Sequence, residues 1–460
     1  MSAPDRAILV ADGDPRPELA RRGIAPQPTI GALPLPIREP AALRALHLQV
    51  ALAGADVLTA VTGTLHRRTL SRMGAARRGR EWIAAALDLT REAAAEAEDA
   101  GRPARDGQPA PPVRVAGLVG PLEGSGTSGL NLDAAGVAAE HRAHAGMLAD
   151  AGAQLLRIEA MESITESEAA TREALATGLE TWTGVAVDRS GIVLPSGESL
   201  AAWAAAISPL GPDVLLVTAP SLGATRAALA ALGAPDSGTS VALGGSLPAG
   251  PPDMDETPDQ GGEPAPGPVP SSGPAPSSGP QPDARVALLL EAGCLVLDAG
   301  TDGSPQRVAL LRAEADRQNA RRRLARRDRL ERRQAWLAQV IDRAFPGPAL
   351  WLARTAPEFP LPGPFAWDVV EVGELGRLPA GRYRVAVVPA DAAGGSGEAG
   401  ASLSVEELRR LVTALEPGAW MLIEGDPAAD VLASDERTGG LLPAERLPSG
   451  PPCWLVRRRP

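Results

Sequence analysis

Along the chain, short runs of Val, Leu and Ile alternate in regular order with Ala-rich stretches of helical period, the pattern of a parallel α/β domain. The strand candidates are Ala7–Asp12, Asp56–Val61, Val113–Gly120, Leu155–Ala160, Thr183–Val187, Asp213–Ala219, Ser240–Gly245 and Cys294–Gly300. Helices are expected over Glu39–Gly54, Arg80–Ala100, Leu132–Ala151, Glu166–Leu179, Ser199–Ile207, Gly223–Leu232 and Ala284–Ala292, with another after Ser304. Eight strand–helix units over about 310 residues predict a (β/α)8 barrel, since an open doubly wound sheet usually carries fewer strands. The residues to inspect for chemistry are then those at the C-terminal ends of the strands.

Two stretches break this rhythm. Between the seventh strand and the seventh helix, residues 248–283 are dominated by Pro, Gly and Ser and cannot bury enough apolar area to offset chain entropy, so a disordered insertion on the rim is expected, whether lid, tether or spacer. Residues 313–334 belong to a run in which Arg dominates. Its interspersed acids, Glu314, Asp316, Asp328 and Glu331, predict a solvated connecting helix rather than a nucleic-acid contact. From 335 to 460 the motifs ALWLAR, WDVVEV, YRVAVVPA, WMLIEG and CWLVRRR read as strands. SVEELRRLVTAL reads as an amphipathic helix ending before Pro417-Gly418, which makes this part a small α/β module.

Composition bounds the function. At 460 residues a two-domain chain is expected, and with 44% hydrophobic but only 3% aromatic residues Ala, Leu and Val must fill the interior. A formal net charge of −11 argues against nucleic acid and anionic membrane as general partners. Every basic side chain other than histidine is Arg, which excludes a Schiff-base lysine and a phosphate-loop lysine. Two cysteines, Cys294 and Cys453, allow at most one disulfide and point to a reducing compartment. There is no apolar run of spanning length and no secretory pattern at the start, so a cytoplasmic soluble protein is expected.

The strand ends, taken in order, carry a resemblance. VADGDPRPELARRG offers Asp12, Gly13, Glu18, Leu19 and Gly23; the next unit offers His47, Ala53-Gly54-Ala55-Asp56 and Thr62; VAGLVGPL offers Ala116, Gly117, Gly120 and Pro121. Further on stand His141, Leu148, Gly152, Glu159 and Glu168, and then PSGESL from Pro195 to Leu200. In this order and spacing the first 312 residues resemble the homocysteine S-methyltransferase family. The resemblance implies a barrel that transfers a methyl group to a thiol amino acid, with Glu159 receiving the amino group and Asp12, Thr62 and Gly117 lining the substrate site. It also implies a zinc ion held by one thiolate after strand six and two after strand eight. Those positions are occupied here by Ala219, Gly300 and Thr301, so the zinc is expected to be lost and no other cofactor takes its place. The pattern departs further at Arg16-Pro17, Ala60-Val61 and Leu118, where the family has Gly-Thr, Thr-Asn and Ser. Two functions therefore stand side by side, an S-methyltransferase working without zinc and a non-catalytic ligand- or partner-binding descendant.

Other candidates are weaker. His47, His141 and His144 fall on helices, where solvent-facing or capping roles are expected, and His66 lies on the catalytic rim; Cys294 is expected in the core. Asp12 and Asp298 or Asp302 come from neighbouring strands and can approach each other, either as a cation or acid–base site or as turn and capping residues. The C-terminal module resembles the second half of a class I S-adenosylmethionine-dependent methyltransferase, in which Glu371 would be the ribose-binding acid. The turn after ALWLAR is TAPEFPLPG rather than a glycine-rich loop, and a scaffold or protein-contact module is the alternative.

Overall fold

A computed structural model of the chain describes residues 7–24, 33–105, 109–122, 132–232, 242–246, 284–341, 348–353, 361, 366–388, 405–424, 445–446 and 453–458. Residues 248–283, the expected insertion, lie outside the described residues. The chain divides into two compact units, the first made of 1–235 with 240–321 and the second of 322–460 with 236–239.

In the first unit eight parallel strands close into a barrel in sequence order: β1 (Leu9–Ala11), β2 (Val57–Ala60), β3 (Arg114–Val119), β4 (Leu155–Met161), β5 (Glu180–Ala186), β6 (Val214–Thr218), β7 (Ala242–Ser246) and β8 (Val296–Asp298). Closure is by β1 on β8, with Leu9, Val10 and Ala11 opposite Val296, Leu297 and Asp298. Around it run α1 (Pro15–Arg21), α2 (Leu35–Arg38), α3 (Pro40–Leu52), α4 (Arg67–Arg72), α5 (Gly79–Asp99), α6 (Ala134–Asp150), α7 (Ile164–Leu175), α8 (Leu200–Ile207), α9 (Leu222–Leu232), α10 (Ala284–Glu291) and α11 (Pro305–Ile341). Each expected strand overlaps an observed one. The short α2 and α4 were not expected, because four to six residues carry too little periodicity to read. The helix after Ser304 and the Arg-rich run form the single helix α11.

Local chemistry explains why the helices start where they do. Asp14, Asp133, Ser163 and Ser199 each turn a side-chain oxygen onto the first free backbone N–H groups of α1, α6, α7 and α8. The interior is aliphatic, as the composition requires. Trp182 and Trp203 are its largest fully buried side chains, and Cys294 is buried. On α11, Val308, Leu311 and Ala315 are buried in the barrel's core cluster, and Asn319 accepts the Ile8 N–H at 3.0 Å, fastening the entry to β1. At the N-terminal end of the strands, Gly54 has φ of +110° and a Cβ there would lie 2.5 Å from Cγ of Arg312, so both backbone and space require glycine.

The second unit holds a six-stranded sheet built from β9 (Pro348–Ala353), β10 (Ala366–Glu371), β11 (Tyr383–Val388), β12 (Leu415–Glu424), β13 (Glu445–Arg446) and β14 (Cys453–Arg457), in the order β10-β9-β11-β12-β14-β13. The first four are parallel and β14 runs antiparallel to both neighbours. α12 (Val405–Ala414) buries Leu411 and Val412 with Leu350, Leu352, Met421 and Ile423. Pro417-Gly418, expected as a helix-ending turn, lies inside β12, near the register shift between Tyr383 and Val385 on β11. Among the described residues no helix is long and apolar enough to cross a membrane.

Candidate functional site

Strand β4 explains why charge gathers at the C-terminal mouth of the barrel. Its side chains alternate, so Arg157 and Glu159 project to the same side of a strand that is otherwise Leu, Ile, Ala and Met. The Arg157 side chain is only 5% exposed, and a guanidinium so placed must find partners within the protein. Nη2 donates to Asp298 Oδ2 at 2.5 Å and pairs with Glu159 Oε1; Nη1 donates to Thr59 Oγ1 at 3.2 Å and lies 3.8 Å from Asp12 Oδ1. Arg157 Nε is buried with no hydrogen-bond partner among the described residues.

The carboxylates are anchored by backbone and hydroxyl groups. Asp12 Oδ2 accepts the Thr59 N–H at 2.7 Å and Oδ1 accepts the Thr59 hydroxyl at 2.7 Å, while Asp298 Oδ1 accepts the Gly300 N–H at 2.6 Å. His47 of α3 brings Nδ1 to 3.8 Å from Asp12 Oδ2. Glu159 differs from the rest, because its side chain is 32% exposed and so faces the open mouth.

Burial sets the protonation of this cluster. It pushes the Asp12 carboxyl up to about 7, against the nearby Arg157 charge and the Thr59 hydrogen bonds and with help from Asp298. Glu159 is raised as well, by its depth in the mouth and then by Asp298 and Asp14, with Arg157 opposing. Burial works against the charge of Arg157, but Asp298, Glu159 and Asp12 outweigh it and its pKa is raised. His47 is lowered to about 4 by burial and is neutral.

Of the residues expected from sequence, Asp12 and Glu159 meet on the same guanidinium, with Asp298 as the third acid. Asp302 is elsewhere, paired with Arg21 at 2.6 Å. Thr62 stands at the exit of β2, but its hydroxyl donates to Leu118 O and accepts from Leu118 N, both at 2.9 Å, which ties β2 to β3. A Cβ on Gly117 would meet Leu148 and Ala153, so that position faces α6. Ala219 follows β6 and is buried. Gly300 follows β8 with φ of +66°, and its carbonyl accepts the Asp14 N–H at 2.7 Å and would lie 2.4 Å from a Cβ on Gly13. In the second unit Glu371 ends β10 and is exposed.

The helix histidines correct an expectation. His47, His141 and His144 are buried rather than solvent-facing, because α3 and α6 turn those positions inward onto the barrel. His141 Nε2 lies 3.2 Å from Glu166 Oε1, which also accepts the Leu122 N–H. The His144 ring stands edge-on to that of His66, 6.1 Å between centroids. Burial lowers His144 to about 3, with the neighbouring His66 and His141 adding to the shift. His66 itself caps α4, accepting the Thr69 N–H at 3.3 Å. Among the described residues no group of three His, Cys, Asp or Glu side chains is placed to hold a metal ion.

Arg157 and Thr59 were missed in the sequence. A signal for the first was available, since an arginine inside an apolar strand, two residues from a glutamate, requires buried acids from other strands.

Residues 9–263 match the family model described as homocysteine S-methyltransferase, which is more than half of the chain. The chain belongs to the homocysteine S-methyltransferase family. The metallated form of the homocysteine methyltransferase MmuM from Escherichia coli is similar in fold, with a TM-score of 0.51 at 21% identity over 67% of this chain and 96% of that one. Its oxidised form gives 0.51 at 20% identity over the same shares. No curated protein matches the sequence. Family membership and fold agree with the eight-strand pattern; β9 to β14 lie beyond the matched residues.

Proposed function

We propose that the barrel mouth binds a small amino acid of the homocysteine type by its ammonium group, with Glu159 as acceptor, and that it does so without the family's thiolate-held zinc. The observation that carries this reading is Glu159 at the end of β4, a third exposed beside acids that are 1–3% exposed, in a mouth where three carboxylates surround one guanidinium. An ammonium group is the ligand chemistry such a site favours. Against zinc stand Ala219, Gly300 and Thr301, which offer no thiolate, and the left-handed backbone of Gly300, which a cysteine would adopt only under strain. The donor set does not fit the metal.

The same charge balance argues against easy thiol activation. A free thiol with a pKa near 8.5 is only a few per cent ionised at neutral pH, and surrounding carboxylates disfavour the thiolate further. The chain is therefore read first as a ligand-binding descendant of the family.

A second reading, S-methyl transfer to the bound thiol amino acid, is favoured by Asp12, whose carboxyl near 7 suits a general base at neutral pH. The second unit, taken by itself, has β10 and β11 flanking β9 and so a switch point, the place where doubly wound sheets bind ligands. Glu371, at the C-terminal end of β10, is then the acid for an S-adenosylmethionine ribose.

Metal analysis of the purified full-length protein, combined with calorimetric titration of L-homocysteine, tests these readings. Binding by metal-free protein supports the first, and no binding, or stoichiometric zinc required for binding, sinks it. Methionine formation from homocysteine and a methyl donor, lost in Asp12→Asn, establishes the second, and S-adenosylmethionine binding lost in Glu371→Ala establishes the cofactor site of the second unit.

A further inference from the structure

The mouth of the barrel holds more negative charge than its own cations answer. Among the described residues, Asp12, just past β1, Glu159 from β4 and Asp298 from β8 converge on Arg157 alone. The other described groups around them add no free positive charge. His47 from α3 is held neutral, Thr59 from β2 is uncharged, and Arg16, close enough to act on Glu159, is bound to Asp14 through Nε at 2.8 and 2.9 Å. In a site of low dielectric such an imbalance is relieved by protonating a carboxylate or by admitting a cation.

We propose that the mouth takes up the ammonium group of its ligand in exchange for the proton of Asp12. The ammonium group of the ligand settles on the open side of Glu159, Asp12 ionises, and its proton passes to solvent. The ligand itself is not altered; the one bond broken is the O–H of the Asp12 carboxylic acid, its proton is taken by solvent, and the negative charge left on Asp12 answers the ammonium group. The inference rests on the ligand reading above and adds what drives binding.

Two geometric facts select Asp12 as the proton donor. It is almost fully buried, and it comes no nearer to Arg157 than 3.8 Å at Nη1, whereas Glu159 and Asp298 both contact Nη2 directly. Its carboxyl, raised to about 7 by burial, is the group in the cluster placed to carry a proton near neutrality. A positive charge arriving at Glu159 favours ionised Asp12, so the pKa of Asp12 is lower in the complex than in the free protein. Uptake therefore releases a proton between those two values, and affinity rises with pH up to about 7 and is flat above.

The test is calorimetry of L-homocysteine binding to the chelator-treated full-length protein, in pairs of buffers with low and high ionisation enthalpy. Most of one proton per ligand is expected to appear at pH 6 and little at pH 8, with affinity at least about tenfold weaker at pH 5.5 than at pH 8. In Asp12→Asn, which keeps an acceptor for the Thr59 hydroxyl, the proton release and the pH dependence disappear. Buffer-independent heats at pH 6, or an Asp12→Asn protein that releases as many protons as the wild type, overturn the proposal. Should homocysteine not bind at any pH, the ligand reading falls, and the exchange is read separately with methylammonium as probe. Then the Asp12 carboxyl carbon, followed by NMR in the wild type, titrates at lower pH when methylammonium is present; an unmoved midpoint overturns the exchange.

Discussion

The two ends of the barrel are built from the same ion types in opposite proportion. At the N-terminal end one carboxylate, Asp56, meets three guanidiniums: Arg312 at 2.8 Å, Arg102 at 4.0 Å, and Arg105 in direct contact. At the C-terminal end one guanidinium, Arg157, meets three carboxylates. The excess of arginine is answered inside the protein. Arg102 donates to the carbonyls of Ala51, Ala55 and Pro111, Arg105 to that of Gly54, and Arg312 pairs with Asp316 at 2.7 Å. A guanidinium can be satisfied by backbone carbonyls, which abound at strand and helix ends, whereas a carboxylate needs N–H or O–H groups. The mouth supplies these to Asp12 and Asp298, and leaves Glu159 with Arg157 and the open side. One end is thus a structural plug and the other, in the proposed reading, the ligand site, in keeping with the division of labour in (β/α)8 barrels.

Breaking the plug has the largest expected effect. Asp56→Ala removes the carboxylate shared by two buried guanidiniums, Arg102 and Arg312, and the half-buried Arg105 and frees the Val10 N–H, and is expected to lower stability by about 3–5 kcal/mol. Urea denaturation should show a similar loss at pH 5.5 and pH 8. Arg157→Met is the counterpart at the mouth, with an expected loss of about 3 kcal/mol at pH 8. Here the loss shrinks towards pH 5, because carboxylates left without a cation can take up protons. A pH-independent loss in Arg157→Met would remove the asymmetry between the two ends.

How far the sequence anticipated this contrast depends on what sets each feature. Strand and helix positions followed from hydrophobic period, a local property, and so did the order of the eight units. Short β1 and β8 were read too long, since their ends are set by the Gly13 and Gly300 turns that press on each other across the closure. Asp12 and Glu159 were legible through the family pattern. Arg157 was not, because its meaning depends on acids from β1 and β8 that approach it only when the barrel closes. The same holds for Asp56, read in sequence as part of an AGAD turn, whose arginine partners come from residues 102, 105 and 312.

Protonation sharpens the comparison further. The folded-state pKa of Asp12, about 7, lies above the ordinary aspartate value of 3.8, so the native protein holds a proton that the unfolded chain has released. That stability is present at low pH and is lost as pH rises from about 4 to 7. Asp12→Asn is therefore expected to gain on the wild type by roughly 2–3 kcal/mol between pH 5 and pH 8, measured by denaturation at each pH. The buried histidines act in the opposite direction. His144, lowered to about 3, and His47, lowered to about 4, refuse protons that the unfolded chain accepts below about 6.5. Their contribution is complete above 6.5 and falls by about 1 kcal/mol per pH unit per histidine on acidification. His144→Leu should flatten the acid limb of the stability profile between pH 6.5 and pH 4 by that amount, and an unchanged slope would show that His144 takes up its proton in the folded state.

The central claim is that the mouth binds an ammonium group at Glu159 without zinc. Calorimetric titration of L-homocysteine into chelator-treated wild type and Glu159→Gln at pH 8 addresses it most directly. The expected result is one site per chain in the metal-free wild type and at least about tenfold weaker binding in Glu159→Gln, whose amide removes the negative charge while keeping the shape. Equal affinity in the two proteins, or binding that appears only after zinc is restored, would contradict it.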